Sequence, residues 1–111
     1  MPEVEYELQV AAEEDKPIAM QVVAYDSEGE SLAGVRVHIE MVEAAGSFTA
    51  DEQATSLDLI TDSRGKAYFQ WQDWPPNQPS HDVACVIRAT WEGRDPFVFI
   101  ERYRETWKGG V

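Results

Sequence analysis

The sequence predicts an all-β protein, a sandwich of about seven short antiparallel strands. Three observations lead there. Apolar residues recur with a period close to two along most of the chain. No stretch keeps helical spacing over three turns. Clusters of Gly, Pro, Asp and Ser punctuate the alternating runs. A chain without helices can bury the apolar face of one sheet only against a second sheet.

Each element follows from its own pattern. Val4, Tyr6, Leu8 and Val10 share one face of the first strand, and Glu3, Glu5 and Glu7 take the other. That acidic row would repel an added chain if the strand lay at an edge. The second strand, Ile18 to Tyr25, is apolar on both faces and is therefore expected to be central. Asp26 to Glu30 is a turn, in which Asp26 can bond its own amides and Gly29 supplies an unusual backbone state. Val35, Val37, Ile39 and Met41 alternate with Arg36, His38 and Glu40 in the clearest strand of the chain. Glu43 to Gln53 is irregular, and Ala54 to Ile60 reads as a short strand. Thr61 to Gly65 is a second turn, followed by a strand with Ala67, Phe69 and Trp71 on one side. Pro75, Pro76 and Pro79 make Asp73 to His81 a loop. Val83 to Trp91 is a long strand. Glu92 to Asp95 reads as a hairpin turn into the last one, Pro96 to Tyr103.

The 111 residues suit one domain, with a core over 4–103 and a short C-terminal tail over 104–111. At 43% hydrophobic content the chain can bury a real core without metal or disulfide. The net charge of −12 argues against nucleic acid and anionic lipid as partners. It suits a basic partner surface, or simple solubility. The single cysteine, Cys85, sits in an apolar alternation and reads as a small core residue. No run approaches the roughly 18 apolar residues of a membrane span, so no membrane insertion is expected. The N-terminus has neither the basic nor the apolar region of a signal peptide.

Two segments carry a resemblance. Val22 to Val37 looks like the pattern V-x-A-x-D-x-x-G-x-x-L-A-G-V-x-V, and Thr61 to Ala67 like its companion T-D-x-x-G-x-A. Together they resemble bacterial Ig-like domains of the invasin and intimin type, and the related carboxypeptidase-regulatory and transthyretin-like sandwiches. The resemblance spans about residues 18 to 100. It implies an immunoglobulin-like, Greek-key fold and a non-catalytic structural or protein-interaction module in an adhesin, a surface fibre or an assembled particle. It suggests a bacterial, extracellular or cell-surface setting, with a protein partner or neighbouring domains of the same assembly. Every matched residue has a strand-turn-strand explanation, so the motif speaks to fold more than to function.

No catalytic set stands out. Ser80, His81 and Asp82 are consecutive and cannot converge as nucleophile, base and orienting acid. The acids lie on turns and outer faces, where pKa values are not driven apart. Asp26, Glu28 and Glu30 from one loop and Asp62 from another offer hard oxygen ligands for calcium. Their spacing lacks the EF-hand pattern, so neither metal nor cofactor is expected. Trp71 and Trp91 alternate inward. Trp74, opening the Pro-rich loop, and Trp107, in the tail, do not. Rigid aromatic area is what protein contacts use, so Trp74, Asn77, Gln78 and Trp107 are the candidate partner-binding residues. Burial of Trp74 by its own loop, and of Trp107 against one end of the sandwich, is the alternative. A carbohydrate-binding module, with Trp74 stacking on a sugar ring beside Asn77 and Gln78, is the second reading. A small enzyme is the third.

Overall fold

Strand alternation carries through to three dimensions. The computed structural model describes residues 2–13, 17–43, 46–75, 79 and 81–103. Among these residues there is no helix. Seven strands form: β1 (Glu3–Val10), β2 (Ile18–Tyr25), β3 (Arg36–Met41), β4 (Ser56–Ile60), β5 (Lys66–Trp71), β6 (Val83–Trp91) and β7 (Phe97–Arg102). One sheet has the order β1-β6-β3-β4 and the other β5-β2-β7. All pairings between strands are antiparallel.

The core lies between the sheets and comes from the alternations read above. Leu8, Val10, Val37, Ile39, Cys85, Ile87 and Ala89 enter from the larger sheet. Met20, Val22, Phe69, Trp71, Val98 and Ile100 enter from the smaller one. Trp71 is the largest fully buried side chain, and Trp91 is also buried. β2 is central, as its two apolar faces require. β1 is an edge strand, and its Glu3 and Glu5 turn to Arg88 on β6 at 2.9 and 2.7 Å. These exposed pairs add little stability. They do raise the pKa of the guanidinium, chiefly through the Glu5 hydrogen bond.

One sequence expectation needs correction. Glu92 to Asp95 is not the turn of a hairpin. β6 pairs with β1 and β3, whereas β7 pairs with β2 in the other sheet. The segment instead crosses the end of the sandwich, where the indole Nε1 of Trp91 donates to Pro96 O at 3.1 Å. Turn residues specify a reversal of direction and are silent about which sheet receives the chain. Among the described residues, only β3 and β4 are both consecutive and paired. The irregular stretch before β4 is packed inward. Ser47 exchanges two main-chain hydrogen bonds with Gln72. Phe48 is buried, edge-on to Phe69 at 5.6 Å between ring centroids.

The two motif segments meet each other. In each turn the aspartate carboxylate accepts two main-chain N–H bonds: Asp26 from Glu28 and Glu30, Asp62 from Arg64 and Lys66. Those bonds hold the Asp62 carboxyl below the usual carboxylate range, with the Lys66 amide contributing most. Ala24 N–H donates to Gly65 O, and Leu32 N–H to Ala24 O. Gly65 has φ +74°, and a Cβ there would stand 2.6 Å from Ala24 O. The turn therefore docks on β2 only with glycine at this position.

Burial pushes the Cys85 thiol from 9.0 up to about 11. A neutral thiol is inert toward disulfide reagents. Native protein at pH 8 is expected to leave dithionitrobenzoate unreacted, while denatured protein reacts fully; rapid native reaction would show Cys85 to be accessible. The raised value also sets a sign. Stability from this group is complete below pH 9 and is lost as the pH rises toward 11.

Candidate interaction surface

The smaller sheet has an outer face with no third layer among the described residues. β2 supplies its middle row: Ala19, Gln21, Val23 and Tyr25. Register places Gln70, Tyr68 and Lys66 of β5 on one side, against Ala19, Gln21 and Val23 respectively. Glu101, Phe99 and Phe97 of β7 stand on the other, against Gln21, Val23 and Tyr25. Tyr103 follows, its N–H bonded to Ala19 O.

The face is aromatic and half open. Phe97 and Phe99 are each 50% exposed, Tyr68 48% and Tyr103 39%. At the 150–250 Å² of a whole aromatic side chain, these four present about 300–450 Å² to solvent. The largest apolar patch of a typical monomer has about this area and is often functional. Two ring contacts organise it. Tyr25 and Phe99 lie 6.4 Å apart and tilted, and Tyr68 and Tyr103 meet edge to face at 5.2 Å. The second pair joins β5 to the residue just after β7, and those strands flank β2 and so lie about 10 Å apart in the sheet. The two rings therefore lean toward each other across β2.

A polar pair shares the row of Tyr68: Gln21 and the exposed Glu101. Gln21 is only 8% exposed although it belongs to the outer face. Its Nε2 donates to Glu101 Oε1 at 2.6 Å. Its Oε1 is buried without a hydrogen-bond partner among the described residues.

The residues singled out from sequence fall elsewhere. Trp74 is half-buried, at a cis peptide bond to Pro75. Asn77, Gln78 and Trp107 lie outside the described residues. The four calcium candidates do not converge: the carboxylates of Asp26 and Asp62 serve their own turns, and Glu28 and Glu30 are exposed. Among the described residues no three acidic, histidine or cysteine side chains group as ion ligands do.

Of the consecutive triplet, His81 Nδ1 lies 2.7 Å from Pro79 O, Asp82 accepts the Ala12 N–H at 2.7 Å, and Ser80 is outside the described residues. An open cleft of about 590 Å³ on the larger sheet holds His38, whose Nδ1 is 2.8 Å from Asp58 Oδ1. With side chains 43% and 89% exposed, that pair sits in water.

Sequence reading missed the aromatic face, although its signal is present. Both β2 and Phe97-Val98-Phe99-Ile100 are apolar on alternate and intervening positions alike. In a two-layer protein the second apolar face of such strands meets solvent or a partner. Set against protein-family models, curated proteins and solved structures, the chain matches none.

Proposed function

We propose that this chain is a non-catalytic interaction module that docks a protein partner through the outer face of its smaller sheet. The exposed aromatic cluster of Phe97, Phe99, Tyr68 and Tyr103 carries the reading. Partially exposed rings on a rigid strand lose little entropy on docking and bury much area, which is the make-up of an interface hot spot. The paired motifs around Asp26 and Asp62, with seven strands in two sheets, support an immunoglobulin-like, Greek-key sandwich of the bacterial invasin and intimin kind. Such a module would space or join parts of an adhesin, fibre or particle at a cell surface. Trp74 stays a secondary contact in this reading, being half-buried.

The test begins with peptides selected against the protein from a random display library. A Phe97→Ser/Phe99→Ser variant should bind them at least about tenfold more weakly, as loss of hot-spot rings does. Its circular dichroism spectrum and cooperative melting should be unchanged. Equal binding to both proteins would place the contact elsewhere. Hexasaccharides of glucose and N-acetylglucosamine are expected neither to displace the peptides nor to alter tryptophan fluorescence. If they do both, the carbohydrate reading replaces this one.

A further inference from the structure

We infer that the partner docked on this face inserts an arginine side chain between Tyr68 and Tyr103, onto Glu101 and Gln21. The inference rests on the docking reading above and adds the chemistry of the partner. Gln21 already spends an N–H on Glu101, and its buried Oε1 has no donor among the described residues. The polar centre of the face thus presents a carboxylate and an orphaned carbonyl, both acceptors. Two tyrosine rings bound it, and a ring face is the negative side of its quadrupole. A ligand matched to such a site is a planar cation rich in N–H donors and free of acceptors.

The guanidinium group is that ligand: five donors in a rigid fork, weakly hydrated, and suited to stacking on aromatic faces. One edge can pair with Glu101 and a further N–H can reach Gln21 Oε1 once the rings part. Lysine offers charge without the plane or the fork. The net charge of −12 favours a basic partner and opposes a second copy of this chain. Lys66 stands one row away, level with Val23 and Phe99, and Arg102 alternates to the core side opposite Met20.

Two peptides of equal length and charge make the test, one a Gly-Arg repeat and the other a Gly-Lys repeat. The arginine peptide should bind about tenfold more tightly and shift the Gln21 side-chain amide resonance, because a stacked bidentate site separates the two cations. Glu101→Gln and Gln21→Leu should each remove that preference. Glu28→Gln, which deletes the same charge from the exposed Asp26 turn, should leave it intact. Equal affinity for the two peptides, or equal losses from Glu101→Gln and Glu28→Gln, would reduce the effect to general acidic attraction and overturn the inference. If the Gln21 resonance instead moves in a peptide-free Arg104→Gln/Lys108→Gln variant of the full chain, the occupant is the chain's own tail, and the partner assignment fails. The docking face itself is judged separately. Loss of selected peptides in Phe97→Ser/Phe99→Ser without any arginine preference would keep the face and reject the arginine.

Discussion

The Gly46→Ala variant is expected to lose about 2–5 kcal/mol of folding stability, from left-handed backbone strain and overpacking together. Gly46 has φ +89°, and a Cβ there would come within 2.5 Å of Gln72 O and closer still to the indole Nε1 of Trp71. Neither neighbour can yield cheaply. Trp71 fills the core, and Gln72 O accepts the Ser47 N–H at 2.7 Å. Moving the loop away would break that bridge and draw out Phe48. It would also disturb Ser47, whose hydroxyl accepts the Ala54 N–H at 2.9 Å. Urea denaturation followed by tryptophan fluorescence measures the loss. Asp51→Ala, an exposed change in the same loop, should stay within about 0.5 kcal/mol of the parent protein. A Gly46→Ala protein as stable as its parent would show that the loop is not packed against Trp71.

The contrast between Gly46 and Gly65 shows what the sequence could say. Gly65 closes an Asp-x-x-Gly turn, a local pattern that can be read without knowing the fold. Gly46 is required by Trp71, far away in sequence, and its neighbours have no periodicity to betray Phe48. Alternation placed the inward residues of β1, β3, β5 and β6 because one face of each strand is wet and the other dry. It could not assign strands to sheets, so the crossing after Trp91 looked like a hairpin.

The candidate surface was hidden for a related reason. Phe97 and Phe99 resemble core residues when read one by one, and Gln21 resembles an ordinary exposed amide. Only the register that puts Tyr68, Gln21 and Glu101 in one row reveals an aromatic face around a buried amide and an exposed carboxylate. The loop and tail tryptophans attracted attention because they break the alternation, and that marks a residue as unexplained before it marks it as exposed.

Thr61→Val is expected to cost about 2–4 kcal/mol, although valine has nearly the same shape, because two partly buried main-chain groups lose their partners. Thr61 is buried where the chain leaves β4 for the other sheet. Its hydroxyl accepts the Val35 N–H at 3.0 Å and donates to Leu32 O at 2.7 Å. Its own main chain adds two more bonds, from Gly34 N–H and to Val35 O. One side chain thus ties the Leu-Ala-Gly-Val run to the Thr-Asp turn, which gives the two halves of the motif a reason to occur together. Thr61→Ser keeps the hydroxyl and loses only a methyl, so it should cost about 1 kcal/mol. The gap between the two variants isolates the hydrogen bonds from the packing. Thr61→Val and Gly65→Ala act on the same junction, so their combined effect should fall short of the sum of the singles. Thermal or chemical denaturation of these variants beside the parent protein decides the matter. A valine variant no weaker than the serine one would show that packing, and not the hydroxyl, holds the two segments together.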